Sequence, residues 1–88
     1  MGRAMTAARH GSRVLLLGKP DCHLCEEARA IVSRVCTDMH VTWEERSIVD
    51  DPELQRRYAD QIPVTFVDGR QHDYWRVDEA RLRSALAG

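Results

Sequence analysis

Asp68-Gly69 stands between two extended runs, PVTFV (63–67) and RQHDYW (70–75). No other stretch restricts the fold as much. Both central residues of a type I′ turn need positive φ, and a D-G pair between strand-like runs is a strong local sign of such a hairpin. These two strands are therefore expected to be antiparallel neighbours, and the rest of the chain must pack against them. With 88 residues there is material for one compact domain, which buries roughly 60 to 65 per cent of its unfolded surface.

The remaining elements follow from periodicity and punctuation. RVLLL (13–17) is a short apolar run ended by Gly18 and Pro20, which suits a buried strand. From 24 to 39 the apolar residues Leu24, Ala28, Ile31, Val32, Val35 and Met39 recur every three or four positions, the pattern of a one-sided helix. VTWEERSIV (41–49) is rich in β-branched and aromatic residues and predicts a second strand. After it, Asp51 is placed to cap a short helix over 52–58 with Pro52 at its first position. Asp78 is placed to cap a last helix to residue 87, with Val77 and Leu82 as a hydrophobic staple.

The predicted order is β-α-β-α-β-β-α. Two strands joined through a helix should be parallel by a right-handed crossover, so the expected α/β architecture is a four-stranded mixed sheet with helices on both faces. Residues 1–12 read as a flexible N-terminal arm and 13–88 as the folded domain. MGRAMT at the start fits a myristoylation pattern, and the arm carries arginines as an organelle presequence would. Both matches are short, and a plain arm is preferred.

Composition narrows the function. A formal net charge of −1 without a basic tail gives no support to nucleic-acid binding, and no apolar run approaches the 18 residues of a membrane span. Three cysteines is an odd number and no secretory h-region precedes them, so a reducing cytoplasm is the expected location. Of the 13 basic residues all but Lys19 are arginine, a bias read as the codon usage of a GC-rich genome.

Chemistry concentrates in GKPDCHLCEEA (18–28), where Cys22 and Cys25 flank His23 and Leu24 at the start of the first helix. A C-x-x-C pair alone serves as a redox couple, half a metal site or a structural staple. Amide N–H groups without intrahelical partners and the positive end of the helix dipole converge on this first turn, which favours a thiolate at Cys22. If the pKa falls from about 8.5 to about 6, the thiolate fraction at pH 7 rises roughly thirty-fold while intrinsic nucleophilicity falls about thirteen-fold. The larger benefits are then a better leaving group and a second thiol held beside the mixed disulfide. Lys19, and His23 when protonated, would favour the thiolate; Asp21 would oppose it unless it caps the helix.

KPDCHLC after the first strand, QIPVTFVDG some forty residues later, and the closing hairpin and helix resemble the glutaredoxin branch of the thioredoxin superfamily, over nearly everything from 13 to 86. The C-H-L-C form and the Ile-Pro-Val element are most similar to small glutaredoxin-like proteins rather than to C-P-Y-C enzymes. The resemblance implies a minimal thioredoxin fold and a thiol–disulfide oxidoreductase. Cys22 would be its nucleophile and Cys25 its resolving thiol. It also implies a cis Ile62–Pro63 bond facing the cysteines, with the Ile62 backbone open to pair with substrate. The implied partners are a disulfide-bearing protein or a small-thiol mixed disulfide, together with an electron donor that the sequence does not identify. No bound cofactor is implied.

The last strand-to-helix turn departs from glutathione-dependent glutaredoxins. They carry a Gly-Gly pair and an acidic residue there, whereas this chain reads HDYWRVDEA, with Asp73 and Tyr74 in place of the glycines. Glutathione is therefore disfavoured as reductant, and another low-molecular-weight thiol is open. Tyr74 and Trp75 are expected in the core, although together with Arg76 they would also suit a differently shaped cleft. Zinc would need two ligands beyond the cysteine pair, and His10, His40 and His72 stand alone. The same pair would also serve an iron–sulfur cluster bridging two chains, or sit unused in a non-catalytic binding or adaptor domain. Cys36 lies about 16 Å along the helix from Cys25, too far for a disulfide, and reads as a small, partly buried apolar residue.

Overall fold

The computed structural model describes residues 12–87. Apart from Ser12, the segment expected as a flexible arm, with its myristoylation-like match and presequence-like arginines, lies outside the described residues. The elements follow the expected order: β1 (Val14–Gly18), α1 (His23–Met39), β2 (Trp43–Ser47), α2 (Pro52–Tyr58), β3 (Val64–Val67), β4 (Arg70–Tyr74) and α3 (Glu79–Ala87).

β1 is buried along its whole length, as a strand with neighbours on both edges and helices on both faces must be. It pairs in parallel with β2 and antiparallel with β3, and β3 pairs antiparallel with β4, giving the order β2-β1-β3-β4. Asp68 (φ 51°) and Gly69 (φ 83°) both take the positive φ required by the expected hairpin turn.

Alternation along β1 sorts the core into two layers. Val14 and Leu16 face Val32 and Val35 of α1 and Leu82 and Leu86 of α3. Leu15 and Leu17 face the opposite side, against Leu54 and Tyr58 of α2 and Phe66 of β3. A period of two in the strand and of three to four in the helices thus places α1 and α3 on one face and α2 on the other. Tyr58 and Phe66 meet edge to face, with ring centroids 5.6 Å apart.

Capping agrees with the sequence at α2. The Asp51 carboxylate accepts the Leu54 N–H at 3.1 Å, and Pro52 opens the helix. Val77 and Leu82 are both buried at the start of α3, as the staple requires. Salt bridges join α1 to α3, Arg34 to Glu79 and Arg83 to Asp38, both at 2.8 Å, and within α3 Arg83 also reaches Glu79 at 2.8 Å. Hydrogen bonds from the two guanidinium groups hold the Glu79 carboxyl down from an ordinary 4.5 to about 2.

Two expectations need correction here. The strand predicted over 41–49 is shorter, because the Ser47 hydroxyl accepts the Val49 N–H at 3.1 Å and the Asp51 N–H turns back to the Ile48 carbonyl at 3.1 Å. These local bonds end the strand despite the β-branched Ile48 and Val49. Tyr74 and Trp75, expected in the core, are 51% and 52% exposed. They end an edge strand and leave it by a turn, and the layers beneath are already filled from β1 and β3.

Candidate active site

Cys22 is the N-cap residue of α1, with an extended backbone (φ −119°, ψ 109°). Its Sγ accepts the Cys25 N–H at 3.2 Å, and its carbonyl accepts the Glu26 N–H at 3.1 Å. The cysteine itself therefore caps the helix. Asp21, considered for that role, instead takes a left-handed conformation (φ 56°) and is exposed. The reason is register: the residue whose side chain can reach an N–H three positions on is the one next to the first helical residue, and that is Cys22.

The two sulfurs are at disulfide distance, with Cα atoms 5.1 Å apart, inside the range a disulfide accepts. Their exposure differs. Cys22 is half-buried, whereas Cys25 is 1% exposed and lies one turn deeper. An incoming sulfur can reach the first and not the second.

Cys25 fits where it does because of Gly18. A Cβ at residue 18 would lie 3.0 Å from Cys25 Sγ and 3.3 Å from its Cβ. The sequence presents Gly18 as a strand stop; it is in fact the last residue of β1, paired with Ser47, and its bare α-carbon admits the sulfur. A glycine inside a strand often marks such a close approach, but one at the end of an apolar run reads as punctuation.

Immediately before β3, the Ile62–Pro63 peptide bond is cis. Pro63 is buried and Ile62 half-buried. Trp75 follows β4 with φ 64° and donates its main-chain N–H to the carbonyls of Pro63 (2.8 Å) and Gln61 (3.2 Å). Its indole N–H donates to the Asp60 carbonyl at 3.0 Å. A cavity of about 470 Å³ is lined by Leu24, Ile62, Tyr74, Trp75 and Arg76. A smaller one, about 210 Å³, shares Ile62 and is lined also by Lys19, Ile48, Val49, Gln55 and Ala59. Among the described residues the three exposed large hydrophobics, Val49, Tyr74 and Trp75, all lie on these two walls.

Of the residues singled out in sequence, the structure brings Cys22 and Cys25 into contact and sets Lys19 and Ile62 on a common cavity. His23 is the exposed first residue of α1. Tyr74, Trp75 and Arg76 line a cavity, the cleft that the sequence offered beside core packing, whereas Leu24 as a further wall, Trp75 as a hydrogen-bonding hub and Gly18 as a packing site are additions that only the folded chain reveals. Arg76 also pairs with Glu27 of α1 at 3.3 Å. Cys36 is buried more fully than expected, at 1% exposed, and burial pushes its thiol up to about 11. Among the described residues no three His, Cys, Asp or Glu side chains are placed to hold a metal ion. A third cavity, about 380 Å³, lies by the Asp68 turn at the opposite end of β3 from Pro63. No helix among the described residues is long and apolar enough to cross a membrane.

Known proteins resemble this chain in sequence and in fold. The family model described as Glutaredoxin-like domain (DUF836) matches residues 13–87. An uncharacterized protein of Mycobacterium tuberculosis is 34% identical over 80 residues, covering 85% of this chain and 82% of that protein. The X-ray structure of a structural-genomics target from X. campestris is 29% identical with a TM-score of 0.70, covering 84% of this chain and 95% of that one. Thioredoxin from Fasciola hepatica, 19% identical, is similar in fold with a TM-score of 0.59, covering 88% of this chain and 80% of its own.

Proposed function

We propose that this chain, which belongs to the Glutaredoxin-like domain (DUF836) family, is a cytoplasmic thiol–disulfide oxidoreductase working through Cys22 and Cys25. The observation that carries the proposal is the asymmetry of the pair: a reachable Cys22 capping a helix, and a buried Cys25 one turn behind it. That arrangement suits attack by one thiol and resolution by the other.

In the reduced form, the Cys22 thiolate attacks one sulfur of a mixed disulfide. A Cys22–substrate disulfide forms, the substrate S–S bond breaks, and the other half leaves as thiolate. Cys25, losing its proton to solvent, then attacks Cys22 Sγ. The Cys22–Cys25 disulfide forms and the second half leaves as thiol. Two electrons have passed from the dithiol to the substrate, and a low-molecular-weight thiol in excess returns them.

The helix start aids both steps. The Cys25 N–H already directed at Cys22 Sγ would make a charge-assisted bond to a thiolate, lowering its basicity and improving it as a leaving group. Lys19, and His23 when protonated, are assigned the supporting role of favouring that charge. Ile62 and Pro63 are assigned to substrate binding. The Ile62 main-chain N–H and C=O lack a hydrogen-bond partner among the described residues, and an extended segment of a disulfide-bearing protein or a small thiol could take them. Neither nucleic acid nor membrane is a proposed partner.

Two substitutions test the scheme. Cys22→Ser should abolish reduction of a mixed disulfide, and Cys25→Ser should accumulate a covalent substrate adduct visible by intact mass. Turnover surviving Cys22→Ser would sink the mechanism.

A further inference from the structure

Trp75 is half-exposed and left-handed, a combination that neither core packing nor turn geometry calls for. A tryptophan recruited for burial would be inside. A residue recruited for φ 64° would be glycine or asparagine, which reach that region with far less strain. What the position does have is three hydrogen bonds, two from the main-chain N–H and one from the indole, and all three end on carbonyls between Asp60 and Pro63. These four residues lie in the connection from α2 to β3 and include Ile62, whose main-chain polar groups are unpaired among the described residues.

We propose that Trp75 is a positioning residue of the redox site: it clamps the Asp60–Pro63 loop to the end of β4 and thereby fixes where the open Ile62 backbone meets a substrate disulfide. The proposal deepens the redox function above and rests on it. The clamp has two separable parts. The main-chain N–H holds Pro63 and Gln61, and any residue able to adopt the conformation supplies it. The indole N–H holds Asp60, at the α2 side of the loop, and only the tryptophan side chain supplies it. Because the atoms that Trp75 bonds on the loop are all main-chain carbonyls, side-chain substitutions within the loop leave its three bonds in place; the one other tie from β4 among the described residues is the exposed Gln71 amide, which donates to the Gln61 side-chain oxygen at 2.9 Å. Its ring meets Tyr74 edge to face at 5.0 Å, so losing the indole anchor also loosens one wall of the cavity.

The test compares the full chain with Trp75→Phe, which keeps a ring and loses the indole donor, and with Trp75→Gly, which keeps the main-chain donor and relieves the strain. The pre-reduced proteins are mixed with a peptide mixed disulfide, and single-turnover rates are followed as a function of peptide concentration. Trp75→Phe is expected to raise the half-saturating concentration about two- to ten-fold, the value of one hydrogen bond, with the limiting rate and the Cys22–Cys25 potential unchanged. Trp75→Gly should raise it by at least as much. Amide exchange at Gln61, whose N–H donates to the Tyr58 carbonyl at 2.8 Å, should quicken by a similar factor in Trp75→Phe. Wild-type half-saturation in either variant overturns the proposal. So does a fall in limiting rate together with a shifted potential, since Trp75 would then act on the sulfurs and not on the loop. If the unmodified chain reduces no peptide, the redox function itself fails, and unchanged Gln61 exchange in Trp75→Phe overturns the clamp separately.

Discussion

Gly18→Ala should raise the reduction potential of the Cys22–Cys25 couple. A Cβ at residue 18 would meet Cys25 Sγ at 3.0 Å and Cys25 Cβ at 3.3 Å, where carbon contacts are comfortable at about 3.5 to 4.0 Å. One partner must move by a few tenths of an ångström or more. In the oxidised protein Cys25 Sγ is tied to Cys22, and the residue is buried between α1 and β1, so the sulfur cannot swing away. In the dithiol it can rotate. Overpacking of this kind costs roughly 1 to 3 kcal/mol, and if about 1 to 2 kcal/mol of it is specific to the oxidised form, the potential rises by about 20 to 40 mV. The opposing term is alanine's smaller unfolded-state entropy, about 0.4 to 1 kcal/mol in favour of the folded chain. That term is common to both redox states and cancels from the potential. The assay is equilibration of wild type and Gly18→Ala in thiol buffers of defined potential, acid quench, alkylation and intact mass. A potential within about 5 mV of wild type, or one more negative, would refute the argument.

Other perturbations reach different parts of the account. Glu79 is held at about 2 by Arg34 and Arg83, so its folded pKa is depressed and its contribution to stability is present above about pH 4.5 and lost as pH falls through about 2. Glu79→Gln should therefore unfold more easily than wild type at neutral pH, with the gap closing between about pH 4.5 and 2. A gap that persists below about pH 2 in acid unfolding would count against the pairing. Cys36, with its thiol raised to about 11 and its side chain buried, should resist alkylation at pH 8 in the folded, reduced protein while Cys22 reacts. Equal labelling of the two, read by peptide mass mapping, would contradict its placement in the core.

Periodicity and punctuation carried most of the architecture. The D-G turn, the Asp51 cap with Pro52, the Val77–Leu82 staple and the three-to-four spacing of α1 are local signals, each decided within a few residues, and the order of elements follows from them. The end of β2 was hidden because Ile48 and Val49 favour strand while Ser47 and Asp51 engage the backbone in a turn, and short-range hydrogen bonds overrode propensity. Aromatic character misled at Tyr74 and Trp75: their exposure depends on how β1 and β3 fill the layers, which no local window contains. The cysteine pair was legible as a pair, since its spacing and helix-start position are both local. Gly18 was not legible as its packing partner, because the approach of Cys25 to β1 is a contact between elements.

The central claim is that Cys22 and Cys25 exchange between dithiol and disulfide under conditions a cell supplies. A redox titration of the full chain in defined thiol buffers, quenched by alkylation and read by intact mass with both cysteines located, tests it most directly. The account predicts one reversible two-electron step confined to Cys22 and Cys25, between about −270 and −120 mV, with Cys36 a thiol throughout. A pair that never closes, or one that resists alkylation until a chelator is added, would contradict it.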